Sequence, residues 1–264
     1  MAPAQDPEGA DQQWIPWTPR EQTDYASLAR YVNADVTELT RLRLFVENPF
    51  YQRENDSVAL LGRLYEALRA KKIAYEHEPW SAEGEQVIRD ASTVDSSFGT
   101  CLDLSLLFAA MCKQAGLRPY VVVLRRGSSA DHALVLVDNA AAVNRGGTPP
   151  PVTLAEGPHP RHVYRRLPFA ARLGANGLAV DVTAACRGEN DEEGYDFATA
   201  CANGADTLLH ADYRDCVLID VVALHADGFP PYEPLPPDKR PVITRRLPMR
   251  PSFIPYESRK KITL

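Results

Sequence analysis

The chain has 264 residues, of which 45% are hydrophobic and 24% charged, with a formal net charge of −6. This is the composition of a globular protein able to bury a sizeable core, and its acidic balance argues against nucleic acid or an anionic membrane surface as partner. Five cysteines (Cys101, Cys112, Cys186, Cys201 and Cys216) are odd in number, widely spaced and without a Cys-x-x-Cys pair, so neither a disulfide framework nor a structural zinc site is expected.

Residues 1–20 are polar and rich in Pro, Gly, Gln and Asp, and read as a mobile N-terminal tail. They carry no basic and apolar stretches of a secretory signal, so with reduced thiols the expected location is the cytoplasm. Trp14 and Trp17 interrupt the tail and are suited to clamping it onto the body or to a partner contact. Between residues 21 and 47 one or two short helices are predicted. Leu28, Tyr31 and Val32 share one apolar face, and Leu39, Leu42 and Leu44 another. Residues 55–73 form an amphipathic helix, with Val58, Leu60, Leu61, Leu64, Leu68 and Ile73 at helical spacing. Residues 75–99 are polar and irregular, and carry Trp80 and Gln86.

A helix over residues 101–115 is apolar almost all round, the mark of a buried helix. Thr100 and Asp103 are placed as an acidic capping box, and Gly116 as the stop. Residues 119–124 read as a strand, followed by a loop through Gly127 and Ala130 and a second strand opening at His132, which together make an antiparallel hairpin. Residues 138–160 form a long surface loop. Residues 163–173 are strand or helix, 176–182 a strand, 195–209 a helix, and 216–224 a short apolar run of either type. From Pro230 to residue 264 the chain is proline-rich and reads as an extended arm.

Three residues have chemistry in common. Cys101 stands at the first turn of the apolar helix, where the helix dipole and unpaired N–H groups favour thiolate and can hold an oxyanion. His132 follows a loop at a strand mouth and can act as base. Asp181 is a lone carboxylate inside an apolar run that needs a partner, and a histidine on a neighbouring strand would serve. Cys, His, Asp is the order of a cysteine-nucleophile triad. Asp138 is an alternative third member, but beside Asn139 it reads as a turn residue. Cys112 belongs to core packing, and Cys186 to structure or to the margin of the site.

The run Gly99-Thr100-Cys101-Leu102-Asp103-Leu104-Ser105 is followed by Leu107-Phe108-Ala109-Ala110 and Ala115-Gly116-Leu117-Arg118-Pro119. With His132-Ala133 and Val180-Asp181-Val182-Thr183, this pattern resembles the transglutaminase-like superfamily, in particular its bacterial domains. The resemblance extends to Asp196-Phe197-Ala198 with Gly204, to Ile219-Asp220-Val221 and to residues 226–231, and so spans about residues 55–232. It implies an α+β, papain-like fold with the nucleophile helix packed on an antiparallel sheet. Here that fold would occupy residues 21–229, with extra N-terminal helices and the C-terminal arm of 230–264. It implies Cys101 as nucleophile, His132 as base and Asp181 as orienting acid, acting on amides of a protein or peptide through a thioester, as a peptidase, deamidase or transamidase. Gln86 and Trp80 are candidates to assist the oxyanion or line the substrate. The family usually has a small residue before the histidine, where this chain has Asp131. No metal and no cofactor is called for, and the two terminal segments are candidate docking elements for a partner protein. A catalytically silent fold serving as a protein-binding module is the alternative.

Overall fold

The computed structural model describes residues 16–17, 24–33, 57–75, 86–89, 94, 98–126, 129–138, 163–165, 177–187, 193–210 and 215–232. Trp14, Trp80, the segment 34–56, the loop 139–160 and the arm beyond residue 232 lie outside them.

The chain is α+β. The strands are β1 (Pro16–Trp17), β2 (Ala74–Tyr75), β3 (Gln86–Val87), β4 (Phe98–Gly99), β5 (Arg118–Arg126), β6 (Ser129–Asp138), β7 (Val163–Arg165), β8 (Gly177–Val180) and β9 (Asp215–Asp220). The α-helices are α1 (Ser57–Arg69), α2 (Cys101–Gln114), α3 (Phe197–His210) and α4 (Val221–Ala226), and two 3-10 helices run over Asp24–Tyr31 and Val182–Ala185. Five strands form one antiparallel sheet in the order β7-β9-β5-β6-β8. Two small pairs stand apart: β1 with β3, antiparallel, and β2 with β4, parallel.

Helix α2 packs on β5 and β6 and is buried from Leu102 to Cys112. Its apolar residues surround the whole helix because sheet, α1 and the first 3-10 helix cover it from several sides. Both ends are set by local chemistry. At the start, Thr100 Oγ1 accepts from the Asp103 amide while the Asp103 carboxylate accepts from the Thr100 amide. At the end, Gly116 takes φ +79°, and the amides of Gly116 and Leu117 return to the carbonyls of Lys113 and Cys112. This Schellman closure needs a left-handed residue, and glycine adopts it without a Cβ penalty.

Period-two alternation divides the sheet. Val121, Val123, Ala133, Val135, Val137, Val217 and Ile219 join the core beneath α2, while Tyr120, Val122, Leu124, Leu134, Leu136 and Leu218 form a second buried cluster. Helix α3 lies against β8 closely enough that a Cβ on Gly204 would fall 2.6 Å from the Ala179 carbonyl oxygen.

Several elements differ from the sequence expectations. Pro16 and Trp17, within the segment read as a tail, pair with Val87 and Gln86. The run 216–224 divides at Asp220, whose carboxylate caps Ala223 N and turns strand β9 into helix α4. The second hairpin strand opens at Ser129 rather than at His132, so His132 sits inside the ladder opposite Leu124. The register skips Asp131, because Arg125 pairs with Ala130 and Leu124 with His132; Asp131 is therefore the extra residue of a β-bulge. Strand β8 ends at Val180, and Asp181 is the N-cap of the following 3-10 helix rather than a strand residue. A short acidic side chain that bonds its own downstream backbone competes with the sheet ladder, which explains the early end.

Candidate functional site

The site is assembled where the start of α2 meets the β6–β8 side of the sheet. Cys101 is the first residue of α2 and is partly exposed. Its position is fixed from below by the Asp103 carboxylate, which is buried and accepts four hydrogen bonds. Two come from Thr100, through its amide and its hydroxyl, each at 3.0 Å. Two come from Arg89, through its amide at 2.8 Å and its guanidinium Nη1 at 2.9 Å. The Arg89 guanidinium also stacks over the Phe98 ring, with its centre 5.3 Å from the centroid. A Cβ on Gly99 would come within 3.0 Å of Val94, so the turn before Cys101 is closely packed as well.

Strands β6 and β8 are neighbours, with Val135 opposite Val180. One step beyond, Asp181 lies diagonal to His132, and the two meet. His132 Nε2 is 3.3 Å from Asp181 Oδ1, with both side chains buried at 8% and 2% exposure. The same Oδ1 accepts from the Thr183 amide at 3.1 Å and the Thr183 hydroxyl at 2.6 Å. The Asp181 amide donates to Ala200 O on α3 at 3.1 Å.

Two opposing influences act on His132. Burial disfavours its charged form. The Asp181 charge and hydrogen bond, joined by a hydrogen bond and charge interaction with Cys101, outweigh burial and raise the imidazole to about 9. At neutral pH the imidazolium is therefore the favoured form. The ring interacts with both the carboxylate and the cysteine, and Nε2 is the nitrogen that meets Asp181 Oδ1. Nearby, Tyr65 donates to Tyr195 O at 2.9 Å; burial first, and then the Asp181 charge, pushes its phenol well above the ordinary range and keeps it neutral.

Of the residues singled out in the sequence, Cys101, His132 and Asp181 are brought together. Gln86 lies in β3 opposite Trp17, three residues before the Arg89 that is tied to Asp103. Trp80 lies outside the described residues. Asp138 is at the far end of the strand that carries His132, roughly 20 Å along it. Burial pushes the thiols of Cys112 and Cys216 up and raises that of Cys201 to about 11, so these three are chemically quiet. Cys186 is buried and ends the 3-10 helix that Asp181 begins. Among the described residues no cluster of His, Cys, Asp or Glu could hold a metal ion, and no helix is long and apolar enough to cross a membrane.

Sequence reasoning missed Arg89 and Thr183. The Asp-x-Thr spacing of residues 181–183 is a recognisable turn signal that could have found Thr183. Nothing local marks Arg89 as a partner of Asp103.

No family model matches the chain, and no curated protein matches it. Among solved structures, a protein from Parabacteroides distasonis described as a "putative protease" is similar at a TM-score of 0.37 and 14% identity over 53% of this chain. The matched region spans 30% of that protein's chain.

Proposed function

We propose that this chain is a cysteine-nucleophile enzyme of transglutaminase-like, papain-like architecture that acts on amide bonds of a protein or peptide. The observation that carries the reading is the buried His132–Asp181 pair at 3.3 Å, with Cys101 interacting with the same imidazole.

In this reading the Cys101 thiolate, paired with the His132 imidazolium, attacks the substrate carbonyl carbon and forms a C–S bond. The electron pair moves to the carbonyl oxygen. First-turn amides of an α-helix have no intrahelical partner, and that of Asp103 is taken by Thr100, so the amides of Cys101 and Leu102 are the candidate oxyanion donors. His132 then gives its proton to the departing amine as the C–N bond breaks, leaving a thioester on Cys101. Water attacking the thioester gives hydrolysis or deamidation, and an amine gives transfer. In either case His132 takes a proton from the attacking group and returns it to the sulfur. Asp181 holds the ring in one orientation and offsets its charge throughout.

The test is incubation of the full chain and of Cys101→Ala with candidate partner proteins, read by mass spectrometry. Modification that needs Cys101 supports the enzyme: about one dalton gained for deamidation, a cleavage for peptidase action, or a crosslink for transfer. Unchanged modification by Cys101→Ala overturns it.

A further inference from the structure

We propose that Thr183 is the positioning residue of the site: its hydroxyl holds Asp181 Oδ1 in place against His132. The inference rests on the enzyme reading above for its catalytic meaning, but the hydrogen-bond chain it describes is measurable without turnover.

The hydroxyl lies 2.6 Å from Oδ1, closer than the Thr183 amide at 3.1 Å. The amide alone is sufficient to cap the 3-10 helix, since an N-cap carboxylate needs one backbone donor. The hydroxyl is therefore a second donor on an oxygen that the cap has already satisfied, and the third group on that oxygen is His132 Nε2. A carboxylate held by one donor can swing about its Cα–Cβ and Cβ–Cγ bonds. Held by two donors from the same residue, Oδ1 stays within reach of the imidazole. Thr183 and Asp181 are almost completely buried, so water cannot replace a lost donor at little cost. A hydroxyl that donates to a carboxylate also favours the ionised form, which is the form that supports a charged imidazole. Tyr65, a further titratable group close to Asp181, directs its own hydroxyl to Tyr195 O. The Thr183 methyl plays no part in holding Oδ1, and this separates a positioning role from simple packing.

The experiment is a histidine-labelled NMR titration of the full chain, with the His132 signal assigned by its loss in His132→Gln. Thr183→Val keeps the shape and removes the hydroxyl, and Thr183→Ser keeps the hydroxyl and removes the methyl. Wild type and Thr183→Ser are expected to titrate together, and Thr183→Val to titrate about one pH unit lower, the size of a lost charge-assisted contact. Should Thr183→Val not fold, Thr183→Ala removes the same donor with less bulk and carries the same expectation. A hydroxyl-less variant that titrates with wild type overturns the proposal, as does a Thr183→Ser variant displaced as far as Thr183→Val. Iodoacetamide labelling of wild-type Cys101 near pH 6 is run beside it. An inert Cys101 with a displaced His132 titration would sink the enzyme reading alone and leave the Thr183–Asp181–His132 chain standing.

Discussion

Arg89 grips Asp103 twice, with its backbone amide at 2.8 Å and its guanidinium at 2.9 Å, and so joins the segment after β3 to the first turn of α2. The guanidinium is 9% exposed and the carboxylate fully buried, so water does not screen the pair. Removing one member of such a pair strands the other. Arg89→Met is expected to destabilise the fold by about 3 kcal/mol, measured by urea denaturation. A loss below ~0.5 kcal/mol would show that the backbone amide of residue 89 and Thr100 satisfy Asp103 without the guanidinium.

The imidazole of His132 makes stability pH-dependent on the alkaline side. Its pKa in the fold, about 9, lies above the ordinary 6.5. The charged form is therefore favoured by folding. The stabilisation is fully present below pH 6.5 and is lost as pH rises through about 9. The urea midpoint of wild type should fall over that window, by at most about 3 kcal/mol in free energy, relative to His132→Gln. Parallel curves for the two proteins would contradict the pairing with Asp181.

His225 has the opposite sign. Its Nε2 donates to Ala29 O at 2.6 Å, and its Nδ1 faces the Lys113 ammonium. Burial, followed by the Lys113 charge, holds its pKa below 6.5. The neutral ring is the form that folding favours, so its contribution is present above pH 6.5 and is lost as pH falls through the lowered value. This ring ties α4 to the 24–31 helix, which Tyr232 also holds by donating its amide to Arg30 O at 2.8 Å. Limited proteolysis near residues 24–33 should accelerate as pH falls below 6.5, and His225→Gln should flatten that dependence. Equal pH dependence in the two proteins would refute it.

Gly204 is a packing requirement on the Asp181 side. A Cβ there would stand 2.6 Å from Ala179 O and 3.0 Å from Asp181 N, and backbone atoms cannot rotate away. Gly204→Ala should lift α3 from β8, cost roughly 2 kcal/mol by overpacking and lower the His132 pKa along with it. Gly116→Ala is a useful contrast, because a Cβ there meets nothing within 4 Å and only its φ of +79° is strained. Its expected cost is about 1 kcal/mol with the His132 titration unchanged. A Gly204→Ala protein as stable as wild type would contradict the close approach.

Much of this arrangement could be read along the chain because its determinants are local. The cap of α2 is encoded by Thr100 and Asp103, its end by Gly116, and the β5–β6 hairpin by apolar runs about a loop. Cys101, His132 and Asp181 stood out because each is a reactive group at an element boundary or inside an apolar run. What escaped depends on contacts between distant residues or on competition over one residue. Arg89 meets Asp103 at a separation of 14 positions with no spacing rule to signal it. Strands of two residues such as β1 and β3 are too short for any periodicity. Asp181 and Asp220 each end a strand by capping a helix, but both sit in apolar surroundings that continue the strand pattern. The bulge at Asp131 moved His132 from a strand mouth into the ladder, a shift that only the pairing register reveals.

The most direct measurement is the site-resolved rate of iodoacetamide labelling across the five cysteines near pH 6, in wild type and in His132→Gln. A thiolate held by an imidazolium predicts that Cys101 labels first, well ahead of Cys201, and that His132→Gln slows it by roughly tenfold or more. Labelling of Cys101 no faster than Cys201, or at the same rate in His132→Gln as in wild type, would contradict the account.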